Sequence, residues 1–345
     1  MSDIFLAMSG GVDSSTAAHL LLQAGYAVHG ITLQMFPEGD APVRGAAEVC
    51  RALGIPHTAA DVSEAFAAAV IADFCREYAA GRTPNPCVVC NREIKFPLLL
   101  READKIADGA PVATGHYARI VRCGDRFAIA KGADPAKDQS YMLWQLPQKT
   151  LARLVLPLGE YRKEEIRAIA AEAHLPGASA GDSQDICFIP DGDYTAFLAR
   201  CGLPLPEGEF ADTEGRILGR AKNQACYTIG QKRGLGIALG QPMYVHARDA
   251  ARNRVTIDPR DPMRKEVWAT DVRYMAAAPG DLEQPRRLSV KLRYARSEFP
   301  CVARAEGDRL LIETDEPVRA PAPGQSAVLY DGDVVVAGGL IEDGE

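Results

Sequence analysis

The sequence predicts an α/β protein with a Rossmann-like (adenine nucleotide α-hydrolase-like) parallel-sheet domain. A small mixed β-rich central domain and a C-terminal β-barrel follow it. Three observations predict this. Over residues 1–200, short apolar runs alternate with amphipathic helical patterns, the rhythm of βαβ units around a parallel sheet. The first apolar run, Ile4-Phe5-Leu6-Ala7-Met8, passes directly into Ser9-Gly10-Gly11-Val12-Asp13-Ser14-Ser15 and then into a helical pattern. After about residue 203, glycine, proline and short β-type runs take over, which suits small β architectures. The predicted domains are 1–202, 203–265 and 266–345.

The elements follow in order. Strands are predicted at 4–8, 27–34, 57–60 and 111–114, with helices at 14–24, 46–53, 63–80 and 92–107, from apolar spacing of 3.6 type. Residues 118–121 and 126–130 flank Cys123-Gly124-Asp125, a hairpin signal. Helices near 147–154 and 161–173 come next, the second stopped by His174-Leu175-Pro176-Gly177. The C-terminal strands are predicted at 267–275, 287–295, 300–305, 309–314, 325–330 and 333–341, separated by Gly- or Asp-containing turns.

Composition bounds the function. The 345 residues carry a net charge of −7, with 47% hydrophobic and 25% charged residues. That is ordinary for a globular protein and argues against a general nucleic-acid coat. It leaves room for an RNA partner at one basic face. The first apolar run lacks the basic flank of a leader and the length of a membrane span. A cytoplasmic, membrane-free monomer with reduced cysteines is expected.

The glycine loop lies between a strand and a helix. Gly10 and Gly11 let backbone N–H groups approach an anion, Ser9, Ser14 and Ser15 add hydroxyls, and the helix dipole points at the same place. The Gly-Lys-[Ser/Thr] ending of a Walker loop is missing, so a γ-phosphate kinase or GTPase is disfavoured. Ser9–Ser14 resembles the SGGxDS motif of the PP-loop ATP pyrophosphatases, which implies cleavage of ATP to AMP and pyrophosphate. The loop alone does not choose among the amide synthetases and tRNA thiolation enzymes of that superfamily.

The cysteines narrow the choice. Thr83-Pro84-Asn85-Pro86-Cys87-Val88-Val89-Cys90-Asn91 combines prolines that hold the chain extended with a CxxC pair. Cys90 is expected at a helix start, where the dipole lowers a thiol pKa. Cys187 follows Gly181-Asp182-Ser183-Gln184-Asp185-Ile186 and leads into a short apolar stretch read as a strand. A zinc site wants four ligands, often two CxxC pairs, and only one pair is present. A thioredoxin-like dithiol lacks its usual surroundings. Cys50, Cys75, Cys123, Cys201, Cys226 and Cys301 read as inert thiols, while Cys90 and Cys187 read as sulfur-transfer thiols.

These motifs, with Lys95-Phe96, Thr114-Gly115-His116-Tyr117, Lys137-Asp138-Gln139-Ser140-Tyr141, Tyr227–Gly236, Arg293-Tyr294 and Pro323–Ala327, resemble the tRNA-specific 2-thiouridylases over nearly the whole chain. The resemblance implies Cys90 as nucleophile, Cys187 as persulfide carrier and Asp13 as a catalytic loop residue. It implies ATP contacts at Ala7, Met8, Ser9, Gly10, Gly11, Val12, Asp13, Ser14, Leu33 and Gly115, with Mg²⁺. It implies contacts to tRNA or its target base at Asn85, Pro86, Cys87, His116, Lys137, Asp138, Gln139, Arg293, Tyr294 and Gln325. A sulfur-donor protein, a cysteine desulfurase or a sulfur relay protein, is an implied partner. Two features depart from the family. Cys87 stands where many members carry Asp, so Cys87, Cys90 and Cys187 form a trio that would suit a [4Fe–4S] cluster holding an extra sulfide. The segment 36–45 is shorter than in many members. The rival readings are an amide-forming PP-loop synthetase and a non-catalytic tRNA-binding protein.

Residues 286–304 add six basic residues, Arg286, Arg287, Lys291, Arg293, Arg296 and Arg304, against Glu298. Strand alternation would put Arg287, Ser289, Lys291 and Arg293 on one face suited to phosphate.

Overall fold

The structure is a computed structural model and describes residues 2–36, 41–176 and 186–343. The strands are β1 (Asp3–Ala7), β2 (Ala27–Gln34), β3 (His57–Asp61), β4 (Val112–Ala113), β5 (Ala118–Cys123), β6 (Arg126–Lys131), β7 (Leu154–Val155), β8 (Gly208–Ala211), β9 (Ile217–Ala221), β10 (Tyr244–Asp249), β11 (Arg254–Asp258), β12 (Met263–Tyr274), β13 (Arg286–Lys291), β14 (Phe299–Glu306), β15 (Arg309–Arg319), β16 (Ser326–Asp331) and β17 (Val334–Ile341). The helices are α1 (Val12–Gln23), α2 (Ala41–Leu53), α3 (63–79), α4 (86–104), α5 (Gln148–Leu151), α6 (Lys163–Glu172) and α7 (Tyr194–Arg200). α3 and α4 each contain one π-type turn, at Ala67–Ile71 and Asn91–Lys95.

The first sheet has the order β3-β2-β1-β4-β7, and every pairing in it is parallel. The strand order reverses between β1 and β4, which opens a crevice at their carboxyl ends. The residues leaving those ends are Met8-Ser9 and Thr114-Gly115. The second sheet, β10-β11-β8-β9, carries the central domain around Phe210, Tyr227, Val245 and Ile257. In the third, β12-β15-β14-β13-β16-β17 closes on itself through β12–β17, so the expected barrel is present, with no free edge at the join.

Three local expectations change. The 118–131 hairpin forms, but it extends the barrel's sheet through β6–β17. α4 begins at Pro86 instead of residue 92, because Asn85 caps it and Pro86 occupies its first turn. The strand expected directly after Cys187 is not formed. Residues 187–188 form a turn, and α7 begins at Tyr194.

The parallel-sheet domain and the barrel share one core. Phe5, Phe96, Leu99, Trp144 and Tyr141 pack with Val328, Tyr330 and Val335 of the barrel. Trp144 Nε1 donates to Ser326 Oγ at 2.9 Å, and Tyr141 OH donates to the Ser326 carbonyl at 2.9 Å. A fully buried phenylalanine such as Phe5 or Phe96 contributes roughly 1.5–3 kcal/mol. The barrel is thus fixed beside the crevice by apolar packing with its few polar groups satisfied. Among the described residues, no helix is long and apolar enough to cross a membrane.

Candidate functional site

The loop after β1 is tied to itself. Ser14 Oγ donates to the Gly11 carbonyl at 3.1 Å and lies 3.2 Å from the Ser9 main-chain N, while Ser15 Oγ donates to the Gly11 carbonyl at 2.9 Å. The serine hydroxyls expected to serve phosphate therefore hold the loop's shape. The donors left for an anion are main-chain N–H groups. Gly11 caps α1 without a side-chain bond, so Val12, Asp13 and Ser14 have no carbonyl one turn earlier to satisfy. Gly10 has φ +76°, and a Cβ there would come within 2.8 Å of the Ala46 nitrogen. Gly115 brings the end of β4 against the same turn, where a Cβ would stand 3.2 Å from the Asp13 carbonyl carbon. Ala7, Met8 and Leu33 lie at or just past the carboxyl ends of β1 and β2, with Met8 O accepting from Thr32 Oγ1 at 3.0 Å. The predicted nucleotide residues thus gather at the topological switch point.

Asp13 faces two partners that the sequence did not single out as site residues. The Lys163 ammonium donates to its two oxygens at 2.7 and 2.9 Å, and Tyr117 OH donates to Oδ1 at 2.6 Å. Lys163 is buried and opens α6. A cation at a helix N-terminus opposes the macrodipole, and that is the signal in the sequence that would have marked it.

Asn85 is consumed by structure. Its Oδ1 accepts from the N–H groups of Cys87 at 3.2 Å and Val88 at 3.4 Å. Cys87 is exposed and Cys90 buried, three residues apart and hence on one helix face. Cys90 lies in the second turn, not at the helix start, where the dipole effect has faded. Burial pushes its thiol up, against a lowering by the Lys95 ammonium and a main-chain hydrogen bond from Lys95. This reverses the expected lowering. Partial removal of the Cys87 sulfur from water raises it likewise, although the residue keeps an exposed surface, with Lys95 opposing. Burial first, then the Cys90 and Cys87 thiols, raises Cys187 to about 11, with Lys95 opposing. Phe188 fixes this third thiol by packing on Phe74 and Phe197 at 5.3 and 5.1 Å. Gly181–Asp185, which precede it, lie outside the described residues, as do 37–40 of the short segment.

His116 is buried between Thr114 Oγ1, 2.7 Å from Nδ1, and Lys95 Nζ, 3.5 Å from Nε2. Burial first, then Lys95, holds it well below the usual histidine range, so it is neutral. Lys95 is the cation common to His116 and the three thiols.

The residues expected to contact tRNA separate into two groups. Asp138 is buried, accepting from Lys291 Nζ at 2.9 Å, Ser140 Oγ at 3.0 Å and Gly132 N at 3.2 Å. Gln139 Oε1 accepts from Tyr117 N at 2.9 Å, and Gln325 Nε2 donates to the Thr83 and Pro84 carbonyls at 2.8 and 3.2 Å. These three are joints within the protein. Tyr294 is 49% exposed, its ring 6.2 Å from Tyr141. Lys137 is partly exposed, and Arg293 is exposed and donates to the Arg319 carbonyl at 2.6 Å. The expected basic face is largely neutralised. Lys291 is buried on Asp138, Arg286 and Arg287 pair with Asp331 and Asp315, and Arg304 pairs with Glu306 and Glu313.

Comparison with known proteins agrees with this layout. Residues 2–191 match a tRNA methyl transferase HUP domain, 195–259 a tRNA methyl transferase PRC-barrel domain and 264–341 an aminomethyltransferase beta-barrel domain. The tRNA-specific 2-thiouridylase MnmA of Syntrophotalea carbinolica is 45% identical, over 98% of each chain. That of Chloroflexus aggregans is 44% identical, over 99% of this chain and 98% of its own. That of Acidithiobacillus ferrooxidans is 42% identical over the same shares. With the match end to end and the loop, the cysteine helix and the barrel all in place, the chain belongs to the tRNA-specific 2-thiouridylase (MnmA) family.

Proposed function

We propose that the protein converts the wobble uridine of a tRNA anticodon to 2-thiouridine, using ATP and a cysteine persulfide. What supports this is the loop of unmet N–H groups at the switch point together with the thiols of Cys87, Cys90 and Cys187, each of which feels the Lys95 ammonium. The uridine is turned out of the stack towards Cys87 and Cys90. Its C2 oxygen attacks the α-phosphate of ATP. The O–P bond forms, pyrophosphate leaves, and N3 gives up its proton. The N–H groups of Val12, Asp13 and Ser14 and the Lys163 ammonium stabilise the phosphate charge.

Sulfur transfer balances on two thiols. A donor protein loads Cys187 as a persulfide. The terminal sulfur attacks C2, and the Cys90 thiolate attacks the Cys187 sulfur. The S–S bond of the persulfide breaks, AMP leaves, N3 regains a proton, and a Cys90–Cys187 disulfide remains. A dithiol reductant returns both cysteines to thiols. The raised thiol pKa values fit a resting state in which the protonated cysteines wait for substrate. Lys95 is placed to favour the thiolate when it forms.

Mg²⁺ would enter with the nucleotide. Asp13, the carboxylate of the loop, is occupied by Lys163 and Tyr117, so the loop does not fit a protein-held ion, and the phosphates would supply its ligands. A [4Fe–4S] cluster on Cys87, Cys90 and Cys187 also fits poorly. Among the described residues, no three His, Cys, Asp or Glu side chains converge as a metal site. An amide-forming synthetase would leave the thiols and the barrel without a task, and a non-catalytic binder would leave the loop without one. Replacing Cys90 with serine is expected to abolish 2-thiouridine formation while tRNA-dependent pyrophosphate release continues. Full thiolation by that variant would contradict the assignment.

A further inference from the structure

Thr83 stands two residues before the cap of α4, and every polar group it has is held by another part of the chain. Its N–H donates to the Pro323 carbonyl at 2.7 Å. Its carbonyl accepts from Gln325 Nε2 at 2.8 Å, and its hydroxyl accepts from Arg248 Nη2 at 2.7 Å. Pro323 and Gln325 lead into the barrel strand β16, and Arg248 lies on β10 of the central sheet. The three structural layers therefore meet at one residue of the segment that presents Cys87 and Cys90.

The meeting is specific. Arg248 also donates to the Tyr227 carbonyl at 2.8 Å, and its buried Nε has no partner among the described residues. Burial holds its guanidinium below the usual arginine range. A guanidinium kept from water and bound only to a carbonyl and a hydroxyl is costly, so its direction towards Thr83 matters more than its charge. Gln224 of the central domain donates to the Tyr78 carbonyl at 3.1 Å, gripping the end of α3 as Arg248 grips the start of the next segment. Gln325 uses its two N–H groups on Thr83 and Pro84. Pro84 and Pro86 then transmit position stiffly, since each fixes φ.

Resting on the functional reading above, we propose that Thr83 is a positioning residue for sulfur transfer. The Arg248–Thr83–Gln325 latch sets the angle at which α4 offers Cys90 to the activated base. The central domain and the barrel thereby govern the sulfur step without touching the reacting atoms. Adenylation is built on the β1 loop, and among the described residues no hydrogen bond or ion pair joins that loop to the latch. Loosening the latch should uncouple the two half-reactions: adenylated uridine forms, sulfur arrives late, and water returns the base to uridine with loss of AMP.

The test measures pyrophosphate released per 2-thiouridine formed, using the full-length enzyme, tRNA, ATP and a persulfide source. Thr83→Val removes the hydroxyl and keeps the shape. It is expected to raise the ratio by about tenfold, the scale of a small misplacement of reacting groups, with KM for ATP and for tRNA unchanged. Thr83→Ser restores the hydroxyl and should keep the wild-type ratio. Arg248→Met should reproduce the rise from the other side of the bond. An unchanged ratio in Thr83→Val, or equal loss of both products, would overturn the proposal. Wild-type enzyme that releases no pyrophosphate in response to tRNA would instead overturn the functional reading beneath it.

Discussion

At the scale of single residues, charge and burial decide more than identity. Lys163 is a buried cation bonded to Asp13, one of the residues whose N–H groups would cradle phosphate. Lys163→Met should weaken ATP binding by about tenfold or more, the worth of one charge-assisted hydrogen bond, and leave AMP binding nearly unchanged. Calorimetric titration of both nucleotides checks this. Burial lowers His29, His57 and His116. A histidine whose folded pKa lies below its unfolded value of about 6.5 contributes stability that is present above that pH. It is lost as the pH falls below it. The melting temperature should therefore drop from about pH 6.5 downwards, and His116→Gln should make that drop shallower. Ser9–Ser14 and Cys90 were readable as chemistry because the motif and the residue type coincide. Tyr117 was not, since nothing marks it until the fold brings it to residue 13, and Lys163 carries only the weak mark of a cation at a helix start. Asp138 misleads in sequence for the opposite reason: a charged turn looks solvated, and only the register of β13 shows Lys291 closing on it.

At the scale of elements, α4 is the part whose placement matters most. Its start depends on the Asn85 cap, and Asn85→Ala should destabilise the protein by about 1 kcal/mol. It should also slow alkylation or turnover of Cys90 relative to its effect on ATP binding. Urea unfolding and thiol labelling followed by mass analysis separate the two effects. The parallel strands were legible because their apolar runs are long and bounded by turn residues. The start of α4 was not, because two prolines in Thr83–Pro86 read as extended chain. One of them is in fact the first residue of the helix. The loss of the expected strand after Cys187 has a similar cause. Phe188 and Ile189 are apolar because they anchor a turn in the core beside Phe74, and no neighbouring strand is there to pair with them.

At the scale of the whole molecule, the architecture predicted from the alternating and then β-rich texture is the one observed. The sequence did not show how closely its parts are joined. The 118–131 hairpin extends the barrel sheet, and Trp144 is buried against Gly338 and Ser326 of the barrel, contacts far apart in sequence. The buried Lys291–Asp138 pair crosses the same seam. Removing one partner of such a pair leaves an uncompensated charge. Lys291→Met should cost about 3–5 kcal/mol, measured by denaturant unfolding, and Arg287→Met on the exposed strand face should cost little. The seam explains why the barrel residue Gln325 reaches Thr83 and Pro84, just ahead of the cysteine helix. The central claim is that the loop and the thiols serve one reaction on tRNA. Mass analysis of nucleosides from tRNA incubated with the enzyme, ATP and a persulfide donor tests it most directly. 2-Thiouridine at the wobble position is expected, with AMP and pyrophosphate formed only when tRNA is present. Unmodified tRNA accompanied by tRNA-independent cleavage of ATP would contradict it.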